Sequence, residues 1–155
     1  MTLALSSKVF AQGQAIPAHC TGDGRDVSPS LEWRDPPQGT VSFALICDDP
    51  DAPRGTFTHW LLFNLPAQVK ELAEGVPAEA TLPNGAAQGK NDFGKSGYGG
   101  PAPPPGKPHR YYFKLFALER RLDLKPGSTK AQLQKAMEGH ILAEAALMGI
   151  YGRQK

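Results

Sequence analysis

Short apolar runs separated by clusters of turn-forming residues make up most of the chain. Short runs bounded by glycine, proline, aspartate and serine are typical of β-strands. The pattern predicts strands at residues 3–10, 30–33, 41–47, 60–64 and 110–119. It therefore predicts an all-β or mostly β fold.

Two segments have helical patterning instead. Residues 68–74 predict one or two helical turns that Gly75 ends. A second helix is predicted to begin at the N-cap Ser128, because apolar residues then recur at helical spacing: Leu133, Met137, Ile141, Ala145 and Met148. Gly139 interrupts this stripe and leaves open a split into two helices. We expect this C-terminal helix to pack against one end of a β-sandwich.

The composition limits the classes of protein to which the chain could belong. A length of 155 residues predicts one domain, 1–155. The 17 glycines and 15 prolines exceed average usage, but with 40% hydrophobic residues they indicate turns around a core and not disorder. Lys and Arg number 17 against 15 Asp and Glu, a net charge of +2, which argues against a nucleic-acid-binding protein.

Neither a secretory leader nor a membrane span is predicted. The chain begins without a basic segment or a cleavage site, and no segment approaches the ~20 apolar residues that a spanning helix needs. We therefore expect a soluble, cytoplasmic protein with no integral membrane association. Cys20 and Cys47 have no CxxC spacing, so no disulfide framework or zinc site is indicated, and a single bridge between them stays open.

Three segments carry candidate chemistry. His109 and Tyr111 share one face of a predicted strand and outline a pocket floor, although this segment alone favours a buried structural histidine at a strand end. Residues 48–53 place three carboxylates in a turn stiffened by Pro50 and Pro53, where they could orient an imidazole or remain solvated. The glycines of residues 94–106 favour close approach of backbone amides to an anion.

Together these segments resemble the phosphatidylethanolamine-binding protein family, also called Raf kinase inhibitor-like proteins, and specifically its short bacterial branch. The matching motifs are DDPDAP at 48–53, HW at 59–60, NDFGKSGYGGPAPPPG at 91–106 and HRYYFKLFALE at 109–119. The resemblance spans nearly the whole chain. Differences lie beside the pocket: Thr58 stands where the family usually has Trp, Arg54 where a small polar residue is commoner, and Ala102 where Cys is frequent.

The resemblance implies a mostly β protein, a β-sandwich of antiparallel or mixed sheets with small peripheral helices, one of them C-terminal. It also implies a shallow pocket for phosphate-like anions, formed by four side chains: Asp49, His59, His109 and Tyr111. Its rim would be Gly99, Gly100 and Pro101. Asp51 would be a buried structural carboxylate in the turn that contains Pro50 and Pro53.

The implied function is non-enzymatic binding of a small phosphorylated or anionic ligand, such as a phospholipid head group. A phosphoethanolamine-like head group would offer its phosphate to the donors and its ammonium to Asp49. We expect no cofactor, no metal and no catalytic residue. The resemblance leaves open a protein partner in a signalling pathway, a kinase or a protease, and a homodimer.

A metal-dependent or nucleophilic hydrolase that uses the same pocket is the alternative. Asp49, His59 and His109 are zinc-ligand types, and Ser96 is the candidate nucleophile. The sequence has neither HExxH nor GxSxG, the spacings typical of such sites. We therefore favour binding over catalysis.

Overall fold

The computed structural model describes residues 2–153. Eight strands form two sheets in this range, and every strand pair is antiparallel. The smaller sheet has the order β1-β2-β5, with β1 at Ala4–Ser6, β2 at Leu31–Arg34 and β5 at Glu71–Leu72. The larger has the order β6-β4-β3-β7-β8, with β3 at Ser42–Asp49, β4 at Phe57–Pro66, β6 at Ala87–Gln88, β7 at His109–Leu118 and β8 at Ile141–Tyr151.

The main core lies between the two sheets. Apolar side chains of the small sheet, such as Trp33 and Leu72, pack in one cluster with Phe43, Tyr111 and Phe113 of the large sheet. A second cluster covers the opposite face of the large sheet, where the only α-helix of residues 2–153, α1 (Lys130–Met137), packs. The prediction of a mostly β sandwich is confirmed, with antiparallel and not mixed sheets.

The central position of β3 in the large sheet accounts for its apolar sequence. β3 lies between β4 and β7 and has a core cluster on each face, so all eight of its residues are buried. A strand covered on both faces is a continuous apolar run instead of an alternating one. This run ends in the two carboxylates Asp48 and Asp49, at the edge of the sheet where the site is built.

The C-terminal helix predicted from the sequence is longer than the helix in the structure. Helix α1 begins after the N-cap Thr129, not Ser128, because Thr129 and Gln132 form a reciprocal capping box. It ends before Gly139, whose φ of +79° a helix does not allow. The predicted continuation to Met148 is wrong: these residues belong to β8, which pairs with β7 along its length. The helix is therefore peripheral but does not close the fold.

Two smaller predictions also need correction. Residues 68–74 are not helical, because Leu72 is buried and pairs with Leu31 in the small sheet. The first predicted strand, 3–10, shortens to Ala4–Ser6. No helix among residues 2–153 is both long enough and apolar enough to cross a membrane.

Candidate functional site

A cavity of about 210 Å³ opens at one end of the large sheet. Asp49 is the last residue of β3, His59 lies near the start of β4, and His109 is the first residue of β7. Because the three strands are adjacent and antiparallel, these positions meet at the same end. The structure places all four predicted pocket side chains in the cavity wall, which is formed by Asp49, Ala52, Pro53, Phe57, His59, Phe93, Ala102, Pro103, Pro104, His109 and Tyr111.

A β-bulge in β4 turns His59 toward the cavity. Two successive residues of β3 pair with Thr58 and Trp60, so His59 is the extra residue between them. A bulge interrupts strict alternation and re-aims a side chain. The His59 ring consequently lies 5.2 Å from the Tyr111 ring, and the adjacent Trp60 packs in the core cluster that also contains Tyr111.

His59 and Gly99 hold each other through two hydrogen bonds. The ring Nδ1 of His59 donates to the Gly99 carbonyl at 2.6 Å, and the Gly99 amide donates to the His59 carbonyl at 2.9 Å. Burial lowers the pKa of His59 below its ordinary value of 6.5, so the ring is neutral at pH 7. With the proton on Nδ1, the other ring nitrogen, Nε2, is a hydrogen-bond acceptor.

Asp49 orients His109. The Nδ1 of His109 donates to Oδ2 of Asp49 at 2.7 Å, and the Asp51 amide donates to Oδ1 at 2.8 Å. Both side chains are buried. Each oxygen of Asp49 therefore already accepts one hydrogen bond from the protein. The role of Asp49 that this geometry supports is to fix the ring so that Nε2 is left for the cavity.

Tyr111 has a buried hydroxyl without a protein partner. Its side chain is 1% exposed, its ring stacks at 6.4 Å from that of His109, and no group of residues 2–153 hydrogen-bonds to its Oη. Burial and the Asp49 carboxylate raise the pKa of Tyr111, which keeps the hydroxyl protonated and able to donate. An unpartnered buried hydroxyl costs roughly 1–3 kcal/mol.

The turn after β3 is closed by an ion pair on the outer side of the site. Asp51 accepts bonds from the Arg110 backbone amide at 2.9 Å and from two guanidinium nitrogens at 2.9 and 2.8 Å. These bonds lower the pKa of Asp51 to about 2. The expectation that Asp51 is buried is wrong, because 28% of its side chain is exposed. Pro53 lines the cavity, whereas Pro50 is exposed and lies outside the lining.

The predicted rim residues of the glycine loop support the site from behind, and the cavity is lined instead by the residues that follow them, Ala102, Pro103 and Pro104. Gly99, Gly100 and Pro101 are buried and absent from the cavity lining. The Gly99 amide donates to His59 and the Gly100 amide to Asp26, at 2.9 and 2.7 Å, so neither amide is available to an anion. A Cβ on Gly99 would collide with the Phe93 ring, and one on Gly100 with the Cys20 carbonyl. The glycines are needed for close packing, and the predicted rim role is corrected.

The sequence pattern does not predict two aromatic side chains of the cavity, Phe57 and Phe93. The rings of Phe57 and His59 lie 4.9 Å apart, and Phe93 packs edge-on to Phe57 at 4.8 Å. Phe93 is 46% exposed and so stands at the cavity mouth. Asn91 fixes it, because its side chain accepts from the Phe93 amide and donates to the Gly97 carbonyl. Phe57 precedes His59 by two residues, a spacing that could have indicated a shared face.

The cysteines have no part in the cavity. Cys20 and Cys47 are both buried free thiols, so the open possibility of a bridge between them is not realised. Burial and the neighbouring Asp48 and Asp49 raise the pKa of Cys47 well above its ordinary value. Neither cysteine, and no serine or threonine of residues 2–153, is among the lining residues. Ser96, the nucleophile of the alternative prediction, is likewise outside the lining.

Comparison with known proteins assigns the chain to a family. Residues 6–152 match the family model of the phosphatidylethanolamine-binding protein. A UPF0098 protein of Methanothermobacter thermautotrophicus is 49% identical over 96% of this chain and 98% of its own. The crystal structure of CT736 from Chlamydia trachomatis, described as a phosphatidylethanolamine-binding protein homolog, is 40% identical with a TM-score of 0.90 over 99% of each chain. That of E. coli YbcL, described as a new member of the mammalian family, is 35% identical with a TM-score of 0.92 over 99% of this chain and 100% of its own.

Proposed function

The chain belongs to the phosphatidylethanolamine-binding protein family, and we propose that its cavity binds a small ligand that carries a phosphoryl group and an ammonium group, as phosphoethanolamine does. The observation that carries the proposal is the unpartnered Tyr111 hydroxyl in the wall of a 210 Å³ cavity that two histidines also line. A buried polar atom without a protein partner is stabilised by a ligand that supplies one.

The phosphoryl group would be held by His109 and Tyr111. An anion needs hydrogen-bond donors, and the amides of Gly99 and Gly100 are already used within the protein. The Tyr111 hydroxyl is a donor, and His109 becomes one at Nε2 in its imidazolium form, in which both ring nitrogens carry hydrogen. In that form the hydrogen bond from Nδ1 to Asp49 is charge-assisted.

The ammonium group would be held on the other side of the cavity. The neutral His59 offers Nε2 as an acceptor, and the Phe57 and Phe93 rings lie beside it. An ammonium within about 6 Å of an aromatic face gains roughly 0.5–2 kcal/mol. We therefore assign the ammonium to His59 and not to Asp49, because each Asp49 oxygen already accepts one hydrogen bond within the protein.

The proposed activity is binding without turnover. The hydrogen-bonded pair Asp49 and His109 has the arrangement of a general base and its orienting carboxylate, which is the observation that favours a hydrolase as second candidate. The third component, a hydroxyl or thiol nucleophile beside the base, is lacking in the lining that residues 2–153 provide, apart from the protonated Tyr111. Regulation of a kinase or a protease by the ligand-bound protein, a cytoplasmic location and a homodimer stay proposals drawn from the sequence.

Calorimetry with phosphoethanolamine, phosphate and ethanolamine tests the proposal. We expect phosphoethanolamine to bind more tightly than either fragment, and His109→Asn to weaken phosphate without weakening ethanolamine. Equal affinity of wild type and His109→Asn for phosphoethanolamine would contradict it. Turnover of phosphomonoesters, esters or peptides by the wild type that vanished in His109→Asn would establish the hydrolase instead.

A further inference from the structure

A histidine, a cysteine and a glutamate meet on the surface outside the cavity. His19 and Cys20 belong to a short 3-10 helix, Ala18–Cys20, and Glu74 follows β5. One ligand atom of each, an imidazole nitrogen, the thiol sulfur and a carboxylate oxygen, lies within 4.8 Å of the other two. The Nε2 of His19 and Oε2 of Glu74 are 2.8 Å apart. None of the three lines the cavity described above.

The thiol of Cys20 is the group that a plain surface ion pair does not explain. Cys20 is 0% exposed, whereas the side chains of His19 and Glu74 are 38% and 31% exposed. Cys20 is a free thiol, and its sulfur lies within 4.8 Å of the ligand atoms of His19 and Glu74. A buried free thiol beneath an exposed His–Glu pair is an arrangement that a thiophilic cation can complete from the surface.

We propose that His19, Cys20 and Glu74 form a binding site for a zinc-type divalent cation, with the fourth position open to water. Tetrahedral zinc with sulfur, nitrogen and oxygen ligands at about 2.0–2.3 Å separates neighbouring ligand atoms by about 3.3–3.6 Å. The present separations, 2.8 Å for the His–Glu pair and no more than 4.8 Å for the others, reach those values by small side-chain movements. Imidazole and thiolate together suit zinc, and Glu74 with the thiolate supplies the two negative charges that neutralise it.

The backbone around the three ligands is already held in place. The Cys20 amide donates to the Pro17 carbonyl, and its own carbonyl accepts from the Tyr98 hydroxyl at 2.6 Å. On the other side, the Gly75 amide donates to the Ser28 carbonyl at 2.9 Å, immediately after Glu74. A site whose ligands are fixed before the ion arrives loses less conformational entropy on binding.

Binding would displace the thiol proton. Zinc-type ions bind cysteine as the thiolate, so the ion would take the place of the proton on the Cys20 sulfur, and the proton would pass to solvent.

Cobalt(II) serves as the spectroscopic probe for this site, with the reduced full-length protein. We expect one equivalent to bind with a near-ultraviolet sulfur-to-cobalt charge-transfer band, and zinc to displace it. Cys20→Ser should abolish the band, whereas Cys47→Ala, which removes the other thiol, should keep it. His19→Ala and Glu74→Gln should each weaken cobalt binding about tenfold or more, since loss of even an outer-shell partner has an effect of that size.

Matched variants keep the test decisive if Cys20→Ser does not fold. His140 pairs with Glu119 at 2.8 Å without a thiol nearby, so His140→Ala should leave both the band and the affinity unchanged. Absence of the thiolate band in the wild type, or unchanged affinity in both His19→Ala and Glu74→Gln, would overturn the proposal. Neither result bears on the cavity, whose ligand binding is measured separately.

Discussion

Removing the Tyr111 hydroxyl should stabilise the protein and weaken its ligand binding. The ring of Tyr111 is packed in the main core cluster, and Phe preserves its shape. The hydroxyl is buried and has no hydrogen-bond partner among residues 2–153, so Tyr111→Phe removes an unsatisfied polar group and leaves no other group of that range unpaired. Most substitutions in a core destabilise; this one is expected to do the opposite.

The magnitude follows from the unpartnered oxygen. A buried unsatisfied hydroxyl costs roughly 1–3 kcal/mol, which bounds the gain in the free energy of unfolding. For a chain of this length each kcal/mol raises Tm by about 2–4 °C. Loss of one hydrogen bond to the anionic phosphoryl group, worth roughly 1.5–3 kcal/mol, should lower affinity by about ten- to a hundredfold.

Tyr98 provides the matched control. Its hydroxyl donates to the Cys20 carbonyl at 2.6 Å, so Tyr98→Phe deletes a bond and leaves that carbonyl unpaired. The same chemical change should therefore destabilise at this position. Urea unfolding and thermal unfolding of the two variants, with calorimetry of phosphoethanolamine, measure both effects. If Tyr111→Phe lost as much stability as Tyr98→Phe, the hydroxyl would have a partner in solution and the reasoning would be refuted.

Two further predictions concern the histidines. His109→Asn retains a donor toward Asp49 but loses Nε2, so the fold should survive while phosphate affinity drops about ten- to a hundredfold, the value of a charge-assisted bond of roughly 1.5–3 kcal/mol. His109→Gln cannot keep the Asp49 contact and should lose stability in urea unfolding. Equal stability of the two variants would contradict the orienting role of Asp49. The pKa of His59 is lower in the folded protein than in the unfolded chain, so near pH 6.5 and below it the unfolded chain binds more protons than the folded protein. The free energy of unfolding should therefore fall as pH decreases through 6.5 toward the folded pKa. Urea unfolding at pH 7.5 and 5.5 should show a smaller loss for His59→Gln than for the wild type, in a window well above that of Asp51, whose pKa is about 2.

Much of the site can be predicted from local pattern. Alternation along β7 places His109 and Tyr111 on one face, and this is their arrangement in the cavity wall. The position of Asp49 at the end of an apolar run likewise follows from the run itself. These are properties of consecutive residues, which the covalent geometry of a strand determines.

His59 shows where local pattern is insufficient. Strict alternation would put His59 and Trp60 on opposite faces of β4, and only the bulge opposite β3 brings His59 to the cavity. A bulge is a property of register between two strands, and the sequence of one strand does not specify it. The occupied amides of Gly99 and Gly100 are similar, since their partners His59 and Asp26 are distant in the chain.

The sequence by itself determined the mostly β class, the stiff carboxylate turn and the shared face of His109 and Tyr111, because each depends on neighbouring residues. Only the tertiary structure decided that residues 141–151 form a strand. Their apolar spacing and their Ala and Leu content also suit a helix, but a long partner in β7 supplies hydrogen bonds, and Ala143, Ala145 and Leu147 then reach the core. Pairing and burial across the fold outweigh helix propensities that differ by only about 0.7 kcal/mol per residue among ordinary residues.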